Sequence, residues 1–214
     1  MESYGIKDVE NLFLSLCRIC RENQESFTEA DSRLGDGDMG ITIGKGAAAV
    51  ERILHDREIK GNETEEMSKL FMDCAMEWNR CAPSTLGTLI SFGMMAVGKE
   101  LNHRSHIEED EIPGLVKLFA DTIATRGSAR TGDKTILDAL YPYVETLRSC
   151  YEDTRDLSEA LEKAAEAARQ GMERTKGMIA RTGRASWLNT RNMEYPDAGA
   201  VLMATVGTRL VGQE

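Results

Sequence analysis

Asp156-Leu157-Ser158-Glu159-Ala160-Leu161-Glu162-Lys163-Ala164-Ala165-Glu166-Ala167-Ala168 is the clearest helix start in the chain. A short side-chain oxygen at the N-cap and a Glu three residues later form a capping box ahead of an Ala-rich run. Helical spacing continues in both directions from it. Val9, Leu12, Phe13, Leu16, Ile19 and Cys20 form one apolar stripe. Ile41 to Leu54 gives a second helix, and Met67, Leu70, Phe71, Cys74 and Trp78 mark a third. Pro83 restarts the chain before a Gly- and Met-rich helix from Leu86 to Leu101, and Ile112 to Thr125 follows the acidic run 108–111. Ile136 to Cys150 is the sixth, with Pro142 marking a kink or its first turn. Pro196-Asp197-Ala198-Gly199-Ala200 launches the last. No run alternates with period two between hairpin turns, so no sheet is expected. The reading is all-α: a single domain over residues 1–214, with eight helices and consecutive ones antiparallel.

At 214 residues the chain is long enough to build a core without staples. Lys plus Arg is 26 against Asp plus Glu 36, a net charge of −10, so neither nucleic acid nor an anionic membrane surface is an expected partner. An acidic chain that handles phosphates needs metal ions to offset its own field. The N-terminus carries acids where a secretory signal carries bases, and no stretch approaches the roughly 18 apolar residues of a membrane span. Five cysteines, an odd number, suit reduced thiols and a cytoplasmic location. Cys17-Arg18-Ile19-Cys20 reads as two thiols on one helix rather than a redox or zinc motif, since no second cysteine pair or His cluster accompanies it.

The chemistry concentrates in Asp31-Ser32-Arg33-Leu34-Gly35-Asp36-Gly37-Asp38-Met39-Gly40. On a continuous helix Asp36 would point away from Asp31 and Asp38, whereas the interleaved glycines favour a curled loop whose carboxylates converge. Converging like charges are costly without a cation between them. An all-oxygen donor set suits Mg²⁺, Ca²⁺ or Mn²⁺ rather than zinc. The EF-hand pattern fails, because position 12 counted from Asp31 or Asp36 is Thr42 or Ala47 rather than Glu. The loop runs into a helix N-terminus, whose free N–H groups favour phosphate. On spacing alone, an Asp/Gly turn with solvated acids stays open as the other reading.

Neither Gly44-Lys45-Gly46 nor Gly132-Asp133-Lys134-Thr135 has the spacing of a phosphate-binding P-loop. Lys134 opens a polar helix start, either meeting an anion or lying in solvent. Arg184, in a loop before the last helix, offers its fork to a phosphate or to a surface carboxylate. His55, His103 and His106 have no matching nucleophile and receive no role.

In order, Asp31…Asp36-x-Asp38-x-Gly40, Arg126-Gly127…Gly132-Asp-Lys-Thr…Asp138-Ala139 and Gly183-Arg184-Ala-Ser186-Trp-Leu…Pro196-Asp197-Ala-Gly199-Ala200 resemble the dihydroxyacetone kinase L subunit family, over about residues 6–212. The resemblance implies a barrel of eight antiparallel helices that binds ADP or ATP at one end through two Mg²⁺ ions. Asp31, Asp36 and Asp38 would be the metal ligands, and Met39, Gly40, Ile41 and Thr42 would supply N–H groups to the phosphates. Cys81 and Ala82 fall at the family's small-residue turn, Gly127 and Ile136 would line the adenine side, and Arg184, the catalytic candidate, would meet a phosphate. Asp197, Ala198 and Gly199 would close the site.

By the same resemblance, the terminal phosphoryl group passes to a short-chain keto sugar held by a separate K subunit. In some family members a phosphocarrier M subunit recharges the bound nucleotide. Two departures stand out: Met39 replaces the usual His, and Asn79-Arg80-Cys81-Ala82-Pro83-Ser84 replaces the Gly-rich turn. Ser84, Thr85 or Arg80 are then the substitute phosphate contacts. The second functional reading is a degenerate nucleotide-sensing module that regulates a protein partner.

Overall fold

The computed structural model describes residues 2–60, 66–183, 186 and 193–212. The element order is β1 (Ser3–Gly5), α1 (Ile6–Glu22), α2 (Gln24–Ser32), α3 (Met39–Lys60), α4 (Met67–Cys81) and α5 (Thr85–Glu100). Then come β2 (His106–Glu108), a 3-10 turn (Glu109–Glu111), α6 (Ile112–Gly127), α7 (Leu137–Thr154), α8 (Leu157–Arg174) and α9 (Ala198–Val211). The all-α expectation holds. Among the described residues there are nine α-helices rather than eight, because Gln24–Ser32 folds as a helix of its own just before the acidic loop. Its sequence is polar and only Phe27 is buried, so it carries too little periodicity to be read in advance. A small antiparallel ribbon is the other difference, with Tyr4 opposite Ile107. Its strands are three residues long, too short for any alternation to register.

The chain divides into two compact units. Residues 1–22 and 41–123 form the first, where α4 packs on α5 and on α1. Phe13 and Phe71 meet edge to face at 5.2 Å, Ser91 Oγ donates to the Ala75 carbonyl, and Trp78 Nε1 donates to the Gly87 carbonyl. Cys17 rather than Leu12 completes the buried face of α1; Leu12 is 44% exposed. The acidic run 108–111 is not a mere break. Glu108 and Glu111 form a capping box ahead of α6, and Arg104 braces Glu111 through both guanidinium nitrogens.

Residues 23–40 and 124–214 form the second unit, where α8 packs against both α7 and α9, and α2 against α9. Asp156 caps α8 through the Glu159 N–H at 3.0 Å, a contact worth about 1 kcal/mol. Arg155, left-handed at φ 55°, ends α7, so only two residues turn the chain back onto it. Pro142 lies within α7, which continues through it.

Candidate metal and nucleotide site

The 31–38 loop is folded by its own backbone. The N–H groups of Leu34 and Gly35 donate to the Asp31 carbonyl at 2.9 and 2.6 Å, which tightens the end of α2. Gly37 takes φ +74°, and a Cβ there would fall 2.4 Å from Ser32 Oγ, so the curl requires glycine. One carboxylate oxygen each from Asp31, Asp36 and Asp38 then lie within 4.8 Å of one another. Asp31 is half-buried and the other two are exposed. This donor set fits a hard divalent cation that keeps several waters: oxygens only, closely grouped, and open to solvent and phosphate.

Asp31 also accepts the Met39 N–H at 3.1 Å, so the loop and the first turn of α3 are one assembly. At Gly40 a Cβ would fall 2.0 Å from the Gln24 carbonyl oxygen, and glycine lets α3 begin directly against α2. Met39 is buried, while Ile41 and Thr42 continue α3 with Ile41 exposed.

A second assembly in the same unit joins the turn before α7 to the start of α9. Asp138, only 3% exposed, accepts the Gly132 N–H at 2.5 Å and the Thr135 N–H at 2.7 Å. The Cβ of Ile136 lies 3.1 Å from where a side chain on Gly199 would begin, so these two expected nucleotide residues meet. Asp197 caps α9 by accepting the Ala200 N–H at 2.8 Å, and its own N–H donates to buried Thr175 Oγ1. An open cleft of about 560 Å³ lies at the end of α6, lined by Thr125, Ser128, Arg130, Asp133 and Arg181 among others, with Gly127 between two of these.

Lys134 departs from the solvent expectation and lies near an anion of the chain itself, the Asp197 carboxylate. It is 1% exposed, and its ammonium donates to the carbonyls of Tyr195 at 2.8 Å and Met178 at 3.3 Å. Burial lowers its pKa, and the Asp197 carboxylate opposes that shift. Sequence spacing holds no sign of this contact or of Thr175, whose partners lie decades of residues away. Arg184, the catalytic candidate, lies outside the described residues.

In the first unit, Cys81 ends α4 and is half-buried, whereas Ala82 is 0% exposed. Arg80 is paired with Glu77 through two nitrogens, and Arg52 shares the same carboxylate. Ser84 caps α5 by accepting the Gly87 N–H at 3.0 Å. Two of the three side chains read as substitute phosphate contacts, Arg80 and Ser84, therefore already have structural partners, and Thr85 opens α5.

Asp197 has an unusual titration. Burial, reinforced by the nearby Asp138 carboxylate, pushes its carboxyl up to about 7, while the Ala200 amide, Lys134 and the Gly199 amide pull the other way. In an unfolded chain an Asp releases its proton near 4. Between those values the folded state binds more protons, so the group's contribution to stability declines as pH rises and levels off above about 7. Asp197→Asn keeps the capping oxygen and removes the charge. Its melting temperature relative to the parent is expected to climb between pH 5 and 8; a constant difference would remove Asp197 as the source.

A predominantly helical chain with a three-aspartate cluster at a helix N-terminus, and capped turns elsewhere in the same unit, defines a class of helical domains with an oxygen-rich candidate cation site. Residues 33–211 match the DAK2 domain, and the chain belongs to that family. It is 27% identical over 176 residues to the ADP-binding subunit DhaL of the PEP-dependent dihydroxyacetone kinase of Escherichia coli K12, covering 82% of this chain and 81% of that one. It is 29% identical over 200 residues to L-erythrulose 1-kinase of Mycolicibacterium smegmatis, covering 90% of this chain but 34% of the kinase. The chain thus spans about a third of that longer relative. In structure it is similar to the dihydroxyacetone kinase of C. freundii, with a TM-score of 0.75 at 22% identity over 99% of this chain and 35% of that one. No described helix is long and apolar enough to cross a membrane.

Proposed function

We propose that this chain is the nucleotide-binding subunit of a dihydroxyacetone-type kinase. It carries ADP or ATP with two Mg²⁺ ions and passes the terminal phosphoryl group to a short-chain keto sugar held by a separate K subunit. The observation that carries the reading is the convergence of Asp31, Asp36 and Asp38 at the start of α3. Bound there, magnesium would offset phosphate charge and orient the transferring group.

The chain's own residues do the positioning. Asp31, which accepts the Met39 amide, would also hold the cation, so that metal and helix N-terminus would address the same anion. The amides of Met39 to Thr42 are the phosphate contacts, with Gly127 and Ile136 on the adenine side and Asp197 to Gly199 closing it. Arg184 is the cation that meets the transferring phosphoryl group. The similarity to an ADP-binding subunit supports the nucleotide, and the family match across both units supports one nucleotide-binding domain over 1–214. That relative's name includes PEP, which supports a phosphocarrier M subunit as a further partner in a PEP-fed version. Free cysteines throughout support a cytoplasmic location.

The second reading, a sensor that regulates a protein partner, is favoured by one feature, the 80–84 turn. There Ala82 is interior and Arg80 is occupied by Glu77. Calorimetric titration of ADP into nucleotide-stripped protein, with Mg²⁺ and then with EDTA, tests the shared premise. Binding that requires Mg²⁺ is expected; no binding with the helical signal intact would sink the nucleotide reading. Transfer to dihydroxyacetone with a purified K subunit separates kinase from sensor.

A further inference from the structure

We propose that Lys134 is a positioning residue for the N-terminus of α9, holding Asp197 to Gly199 in the geometry that receives the nucleotide. The inference rests on the nucleotide reading above. Lys134 lies at left-handed φ +60°, a conformation that is strained for a non-glycine residue and persists only where its surroundings hold it. The neighbouring hydrogen bonds supply that hold. Asp138 grips the turn from Gly132 and Thr135 on either side, and the Asp133 carbonyl accepts the Arg181 N–H at 3.0 Å. From this fixed turn the ammonium reaches the carbonyls of Met178 and Tyr195, which stand at either end of the segment leading from α8 to α9.

Tyr195 is two residues before Asp197, whose N–H is fixed separately by Thr175. Two independent anchors therefore set where α9 begins. The Tyr195 ring also lies 4.7 Å beneath the Arg33 guanidinium, beside the acidic loop. A buried lysine brings a second effect. Its charge offsets Asp197 and so leaves the helix N-terminus less repulsive to a polyphosphate. An apolar side chain at position 134 would withdraw the donor from both carbonyls and the positive charge from Asp197.

The test compares wild-type protein with Lys134→Met in three measurements: ADP affinity with Mg²⁺, Mn²⁺ affinity without nucleotide, and hydrogen exchange at the Ala200 and Val201 amides. Those amides donate to Asp197, so they report the α9 start directly. ADP binding is expected to weaken about 10- to 100-fold, the range for lost supporting contacts around a site. Exchange at 200 and 201 is expected to accelerate, with Mn²⁺ affinity at the 31–38 loop unchanged. A variant limited to a general stability defect would lose Mn²⁺ affinity as well, and that outcome would overturn the positioning role. So would ADP affinity and exchange equal to wild type. Wild-type protein that binds no ADP overturns the nucleotide reading itself, a result visible before any variant is made. If Lys134→Met does not fold, Lys134→Gln, which keeps a donor without the charge, is judged by the same outcomes.

Discussion

Asp36→Asn or Asp38→Asn is expected to abolish Mg²⁺-dependent ADP binding and phosphoryl transfer while leaving the helical circular dichroism unchanged. Both side chains are exposed and lie between α2 and α3, outside the regular elements. Amidation removes one unit of negative charge and leaves a weaker amide oxygen in place of one of three anionic ligands, with little change in volume. Even groups one step removed from a metal ligand cost about 10- to 100-fold when lost, so a direct ligand is expected to cost more than about 100-fold. Asp31→Asn is a poorer probe because Asp31 also accepts the Met39 amide, and its loss would mix metal binding with helix capping. Affinity for ADP in Mg²⁺ that survives in both Asp36→Asn and Asp38→Asn would place the metal elsewhere.

Asp138→Ala is expected to give the largest loss of stability among single polar substitutions in the second unit. The carboxylate answers two backbone amides, and charge-assisted bonds of this kind contribute about 1.5–3 kcal/mol each. Because Gly132 and Thr135 retain some access to water, the net loss is expected to be about 2–4 kcal/mol. In a chain of this size that lowers the melting temperature by roughly 5–15 °C, at ~2–4 °C per kcal/mol. Asp138→Asn is expected to fall between, since one oxygen still accepts while the amide nitrogen faces an N–H. The same turn carries Ile136 and Lys134, so nucleotide affinity is expected to fall with stability. Thermal melts of the two variants decide it: a shift under a degree for Asp138→Ala would show the turn to be held by other contacts.

Much of the fold is legible in the residues because it is local. The Asp156 cap, the stripes on α1 and α4 and the launch at Pro196 follow from side-chain spacing within a few turns, and the structure has each of them. α2 escaped because a nine-residue polar helix has almost no stripe, and its place comes from packing against α9. The ribbon between residues 3–5 and 106–108 escaped for a related reason, since its pairing joins segments about a hundred residues apart.

The acidic loop is intermediate between these cases. Three aspartates among glycines announce a curl, but Asp31 doubling as the anchor of α3 depends on a hydrogen bond eight residues long in sequence. By itself, then, the sequence determined eight of the nine described helices, the Asp156 cap and the oxygen-rich chemistry of the 31–38 loop, all products of short-range sterics and hydrogen bonding. Tertiary structure alone decided the fate of Lys134 and Thr175, whereas Arg80 meets Glu77 three residues earlier on the same helix. Whether a cation or hydroxyl faces water or a backbone group depends on which distant backbone comes to lie beside it, and desolvation then fixes its charge and its role.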